Sequence, residues 1–249
     1  MSQTVRRAMS IIECISERPS SIGDVADLLG VHKSTALRLL QSLEPGFARR
    51  LEDGRWTVGV QLIAIAQRAL DSIDVRAVAH PYLQRLSALA GQTVHLGQLI
   101  GDDVVYVDKV EGQGQVRMYS RIGRTASMHA SGVAKAIVAF LEEPLLETVL
   151  ERIDFQRYTP TTVTPLPEFR REISAIRDRG WATDDGEFEE FINCVAAPVR
   201  NSDGTVRAAV SIAAPKMMAS LTDLERLVPE LLTTTLAISG ELGWHGAGT

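Results

Sequence analysis

The sequence predicts an α+β protein in two parts: an N-terminal helix-turn-helix with a two-stranded wing, and a larger domain of antiparallel sheet with packed helices. Three observations lead there. Residues 22 to 58 set two short amphipathic helices around a tight turn and follow them with a basic hairpin. At Thr93 the apolar spacing changes from the helical period to alternation, the period of a strand. From there, strand pairs closed by Gly101-Asp102-Asp103 and by Asn201-Ser202-Asp203-Gly204 are separated by helical segments.

Val5 to Arg18 forms an opening helix with Ala8, Ile11, Ile12 and Ile15 inward, and Pro19-Ser20-Ser21 separates it from the next. The second helix buries Ile22, Val25, Ala26 and Leu29 and stops at Gly30, a residue that tolerates the left-handed backbone closing a helix. From Lys33 to Leu43 the third helix is about 16 Å long at 1.5 Å per residue. Ala36, Leu40 and Leu43, flanked by Leu37 and Leu39, face inward, which leaves Ser34, Thr35, Arg38, Gln41 and Ser42 opposite, with Lys33 at the helix start. Short hydroxyls beside a guanidinium and an amide can enter a major groove and bond base edges or phosphates. A merely solvated face is usually rich in Glu and Lys, and this one carries no acid before Glu44. After Pro45-Gly46, Phe47 to Arg50 and Arg55 to Val58 form a hairpin around Glu52-Asp53-Gly54, where Arg49, Arg50 and Arg55 suit phosphate neutralisation. Helix pair, acid-free face and basic hairpin, in this order, point to double-stranded DNA.

Gly59 begins a second regime, in which Leu62, Ile63, Ala66 and Leu70 form the stripe of a helix that leaves the small domain. The domain division expected is 1–58 for DNA binding, 59–76 for a linker helix, and 77–249 for effector binding and oligomerisation. Pro81 then opens or kinks a helix carrying Leu83, Leu86 and Leu89 and ending at Gly91. Thr93 to Ile100 and Val104 to Val110 are strands, and Gln115 to Tyr119 is a candidate third. Ala130 to Leu141, Pro144 to Arg152 and Glu168 to Arg179 are helices, Cys194 to Arg200 and Val206 to Ala213 are strands, and Leu221 to Leu242 closes the chain as one helix.

With 249 residues, 45% hydrophobic and 23% charged, the composition is that of a soluble cytoplasmic protein of one large or two ordinary domains. No apolar run is long enough to span a bilayer, and no charged-then-apolar leader opens the chain, so no membrane partner is expected. Cys14 and Cys194 lie far apart, which argues against a disulfide framework. The net charge of −5 divides unevenly: residues 1–70 hold 9 basic against 7 acidic side chains, and the remainder 17 against 24. DNA binding is therefore expected to be local and specific, with the acidic part repelling the phosphate backbone.

Several motifs in order give the chain a resemblance to the IclR family of bacterial transcriptional regulators over nearly its whole length. They are VRRAMSII, GVHKSTALRLLQSL and RWTVGVQL in the first part, and GQTVHLG, DDVVYVDKV, MHASGVAKAIVA and CVAAPVRNSDGTVRAAVSIAAP in the second. The resemblance implies a winged helix-turn-helix joined by a linker helix to an effector-sensing domain of GAF-like fold. It further implies homodimers, often homotetramers, on near-palindromic operators, switched by a small organic acid. The sensing pocket of such proteins corresponds here to Gln115, Met118, Gly132, Val133, Asp184, Cys194, Ser211 and Ala213. Gly132 at a helix start would let backbone N–H groups approach an anion closely. Ala213 stands where a relative offers a serine, and Val133 replaces a smaller residue, which favours a larger, partly apolar acid over one as small as pyruvate.

The same residues have ordinary readings. Cys194 could be a small buried hydrophobe, Asp184 and Asp185 a solvated turn, Met118 core, and Ser211 a sheet residue. A thiol nucleophile and base from Cys194 and His129, or an acid and base pair near Asp184 and Glu187, would make an enzyme, yet the spacing supports neither. The histidines, at 32, 80, 95, 129 and 245, show no metal-ligand spacing, although a fold could still gather His95, His129 and Cys194. The expectation is a regulator without cofactor and with no assigned metal site. The alternative keeps the DNA-binding part and makes the large domain an oligomerisation platform alone.

Overall fold

The computed structural model describes residues 2–44, 46–65, 74–112 and 121–246. The chain divides into two compact units, Met1–Ile73 and Asp74–Thr249. The first contains α1 (Gln3–Glu17), α2 (Ile22–Leu29), α3 (Lys33–Leu43), β1 (Ala48–Arg50) and β2 (Trp56–Val58). Ser21 and Asp24 start α2 reciprocally: the Ser21 N–H donates to the Asp24 carboxylate at 2.7 Å, and the Asp24 N–H donates to the Ser21 hydroxyl at 3.2 Å. Gly30 ends it at φ +61°, a left-handed conformation that a side chain would strain.

Ile11 and Ile15 of α1, Val25 of α2, Ala36 and Leu40 of α3 and Trp56 of β2 meet in one apolar centre. The wing is fixed to it from both sides. β1 pairs antiparallel with β2, and Ser20, between α1 and α2, exchanges backbone hydrogen bonds of 2.9 and 2.8 Å with Trp56. Of the linker helix expected over 59–76, residues 60–65 are helical and 66–73 lie outside the described residues.

The second unit is built on an antiparallel sheet of order β4-β3-β7-β6-β5, with β3 (Thr93–Ile100), β4 (Asp103–Val110), β5 (Ala182–Asp185), β6 (Ile192–Arg200) and β7 (Val206–Pro215). Its helices are α4 (Val75–Ala90), α5 (Gly132–Val138), α6 (Glu143–Arg152), α7 (Leu166–Arg179), α8 (Leu221–Glu225) and α9 (Val228–Glu241). Alternation along the strands makes two cores. Val195, Ala197, Val210 and Ile212 face α4, α8 and α9, whereas Cys194, Ala196, Ala209 and Ala213 face α5 and, beyond it, α6 and α7.

The structure corrects four details. The closing helix is two helices, because Pro229 has no N–H to continue a ladder from the α8 turn. Pro81 does not open its helix: α4 starts at Val75, where the Asp74 carboxylate accepts the Arg76 N–H at 2.9 Å. The regular part of the helix expected over Ala130 to Leu141 narrows to seven residues, Gly132–Val138. β5 is unpredicted, since four residues ending in two acids carry no alternating apolar signal; it exists because β6 offers it an edge, pairing Ala182 with Ala196 and Asp184 with Cys194.

Candidate functional site

On the first unit, helical spacing delivers the polar face of α3 to solvent. Lys33, Ser34, Thr35, Arg38, Gln41 and Ser42 are exposed while Ala36 and Leu40 are fully buried. His32 supplies the helix cap: its Nδ1 accepts the Ser34 N–H at 3.4 Å and lies 3.0 Å from the Ser34 hydroxyl, so it orients that hydroxyl. Ser42 turns inward on its own helix and donates to the Arg38 carbonyl at 2.7 Å. Arg49 and Arg50 stand exposed on β1, with the Arg50 Nε–H donating to the Gly54 carbonyl at 3.4 Å. Arg55 differs: its guanidinium pairs with Asp53 at 2.7 Å, which cancels much of its charge before any phosphate arrives.

In the second unit, register builds a cavity between the sheet and the start of α5. One row across the sheet runs Asp184 (β5), Cys194 (β6), Ala213 (β7), and the next brings His95 (β3) opposite Ser211 (β7). Tyr106 of β4 closes one side, its hydroxyl 3.1 Å from that of Ser131 and its ring 5.2 Å from the His95 ring. Arg124 and Glu189 are exposed at the mouth, and Phe188 and Ile192 complete the wall. The enclosed volume is about 50 Å³; at about 10–15 Å³ for each water-sized group, that is room for roughly four.

Gly132 starts α5 directly behind this cavity. A Cβ there would lie 2.9 Å from the Cys194 sulfur, so only glycine lets the helix seat on the strand. Val133 packs against Gly97 of β3, the register partner of Tyr106, and is buried beside the cavity without lining it. Asp184 accepts the Glu187 N–H at 2.7 Å. The Glu187 carboxylate is in turn held by the fully buried Lys135 of α5, at 2.6 and 2.7 Å. Thr159 and Thr162 fasten the same loop, donating to the carbonyls of Gly186 and Glu187 at 2.6 Å each.

Burial dominates the electrostatics. It lifts the Asp184 carboxyl to about 7, with the Glu187 charge adding to it, and it pushes the Cys194 thiol and the Tyr106 hydroxyl up. His95 is depressed to about 3 by burial and by the Lys109 charge. At neutral pH the thiol and both rings are therefore uncharged hydrogen-bonding groups.

Of the pocket residues inferred from resemblance, Asp184, Cys194, Ser211 and Ala213 line this cavity, Gly132 adjoins it, and Val133 does not reach it. Gln115 and Met118, with the candidate strand Gln115 to Tyr119, lie outside the described residues. Sequence reasoning points to none of Tyr106, Arg124 and Ser131 here and to His95 only as a possible metal ligand with Cys194; together the four make the lining more polar than the Ala213 and Val133 comparison suggests. His129 is elsewhere, packed on Phe155 and Tyr158 at 5.2 and 5.7 Å with its Nε2–H donated to the Gln156 carbonyl at 3.0 Å, so it is no base for Cys194. Among the described residues no three His, Cys, Asp or Glu side chains converge as metal ligands, and no helix is long and apolar enough to cross a membrane.

Comparison with known proteins bears on both parts of the chain. Residues 67–240 match the family described as bacterial transcriptional regulator IclR C-terminal, and residues 4–50 match the IclR helix-turn-helix domain. The chain is similar to the HTH-type transcriptional regulator XynR of Escherichia coli (strain K12), 34% identical over 97% of this chain and 98% of that protein. It is similar also to KdgR of the same organism, 30% identical over 97% and 93%. Among solved structures it resembles the Thermotoga maritima IclR, with a TM-score of 0.66 and 32% identity over 97% of this chain and 99% of that one. An exposed polar recognition-type helix and these similarities have one reading: the chain belongs to the IclR family of bacterial transcriptional regulators and is a DNA-binding regulator.

Proposed function

We propose that a small organic acid bound in the Asp184–Cys194–Ser211 cavity controls the affinity of this regulator for its operator. One observation carries the reading: on a sheet face otherwise packed with Ala, Val and Leu, the Asp184 carboxyl, a thiol, an imidazole and the hydroxyls of Tyr106, Thr125, Ser131 and Ser211 line one cavity. Polar groups converging on an otherwise apolar concavity are the usual makings of a ligand site, because they fix a ligand's orientation while the apolar wall removes it from water. Arg124 at the mouth favours an anion, and the small volume favours a short, hydroxylated acid over a bulky apolar one.

On DNA, α3 enters the major groove, with Ser34, Thr35, Arg38 and Gln41 toward base edges. Lys33, Arg49 and Arg50 take phosphates, and Arg55 joins them by exchanging Asp53 for the backbone. Two copies, as a homodimer and by pairing as a homotetramer, read a near-palindromic site. Effector and operator then alter each other's affinity by one common factor.

Melting of the full chain against a panel of small acids tests this. An acid at 100 times its dissociation constant stabilises the fold by about 2.7 kcal/mol, and the same acid shifts operator binding. No thermal shift with any acid would leave the second unit as an oligomerisation platform.

A further inference from the structure

We infer that Asp184 meets the effector as a carboxylic acid and donates a hydrogen bond to the effector's carboxylate, so that in alkaline solution each acid molecule bound takes up one proton. This rests on the organic-acid reading above and adds the identity of the donor.

Asp184 is 6% exposed and faces the cavity from β5. One of its oxygens is occupied by the Glu187 N–H. The nearby buried cation offsets its burial only in part. Lys135 of α5 lowers the Asp184 carboxyl by its charge but is bonded to both carboxylate oxygens of Glu187, with Glu172 of α7 a further 3.9 Å contact. Burial and the Glu187 charge outweigh it. Directly across on β6 stands the Cys194 thiol, with Tyr106 from β4 and His95 from β3 beyond, all three uncharged. The loop after β5 adds the negative Glu187 and Glu189. Lys216, after β7, is taken by Asp185, the neighbour that points to the other side of the strand, at 2.8 Å. Among the described residues that line the cavity the cation is Arg124, exposed at the mouth, and Lys109 of β4 acts on His95 by its charge.

A second carboxylate entering such a site finds a carboxyl already half protonated at neutral pH. Two carboxyl groups in contact share a proton rather than both ionise. The proton comes from solvent, bridges the Asp184 oxygen and the effector oxygen, and leaves with the effector; no other bond is made or broken. Below neutrality Asp184 is already protonated, so affinity is flat. Above it, each pH unit removes about tenfold in affinity.

The test uses calorimetric titration of the full chain with lactate, which carries one carboxylate and one hydroxyl, in buffers of different ionisation enthalpy. Expected is uptake of nearly one proton above about pH 8 and a dissociation constant rising about tenfold per unit there. Asp184→Asn should bind lactate with no such slope, and Arg124→Gln should bind more weakly with the slope intact. Binding of lactate without proton uptake, or a slope that survives in Asp184→Asn or vanishes only in Arg124→Gln, overturns the inference while the organic-acid reading stands. No binding at any pH removes that reading for an acid of this size, and the inference falls with it.

Discussion

Lys135 and Glu187 face each other inside the second unit, the amino group 2.6 and 2.7 Å from the two carboxylate oxygens, with the lysine wholly shielded from water. The pair joins α5 to the loop after β5, and the Glu187 backbone is what holds Asp184. It is therefore a positioning device for the cavity rather than a contributor to the lining.

Breaking that pair from one side should be costly. Lys135→Met leaves a carboxylate buried without its partner, a loss of about 3–5 kcal/mol. Replacing both ends, as Lys135→Met with Glu187→Leu, should recover most of it, because an apolar pair of similar volume needs no desolvation. Urea denaturation of the two variants measures the difference. A single substitution costing less than about 1 kcal/mol would show that the ion pair is not closed in solution.

Asp184 predicts a pH dependence of stability opposite in sign to that of most carboxylates. Its carboxyl titrates near 7 in the folded chain against 3.8 when exposed, so between those values the folded state holds a proton that the unfolded state has released. Stability from this group is complete below about pH 4 and is lost as pH rises to about 7, by on the order of 4 kcal/mol at most. Asp184→Asn abolishes the loss. Its melting temperature should exceed that of the natural chain clearly at pH 8 and little at pH 5; equal differences at both would place an ordinary carboxylate at this position.

How much of this was legible in the sequence differs between the two sites. The bounds of α3 could be read because its signals are local: a stop at Gly30, an apolar stripe at Ala36 and Leu40, and no acid on the far side. Its cap could not, since the residue is His32 rather than one of the hydroxyl or carboxyl side chains that usually cap helices. The cavity is the reverse case. His95, Tyr106 and Asp184 come from three separate strands and meet through register, and Ser131 joins them where α5 seats on the sheet, which no local pattern encodes. Asp184 and Cys194 are accessible through resemblance, which also names Gly132 and Val133 at the start of α5; Gly132 lies against Cys194, and Val133 packs on Gly97 beside it.

Gly132 makes a steric prediction. In Gly132→Ala the new methyl would sit 2.9 Å from the Cys194 sulfur, inside any comfortable contact, and 3.6 Å from the Asp184 Cβ. Either α5 lifts from the sheet or Cys194 changes rotamer into the cavity, at about 1–3 kcal/mol. Acid binding should weaken with it. Adding Cys194→Ala makes room, so the double variant should regain stability, as thermal denaturation would register; a single substitution without effect would mean that α5 is not seated on β6.

Arg38 and Arg50 carry the prediction that separates base reading from backbone attraction. Arg38 projects from the middle of the exposed face of α3, free of any acidic neighbour on that face, whereas Arg50 sits on the wing with its Nε–H toward Gly54. If Arg38 bonds a base edge, Arg38→Ala costs about 1–3 kcal/mol on the cognate operator and relaxes preference at one base pair, while random DNA is bound nearly as before. Arg50→Ala should weaken all sequences alike and lower the slope of log affinity against log salt by about 1. Operator titrations at several salt concentrations, run in parallel on a random duplex, distinguish the two. Equal losses on both duplexes for Arg38→Ala would move that guanidinium to phosphate, and an unchanged slope for Arg50→Ala would take the wing off the DNA.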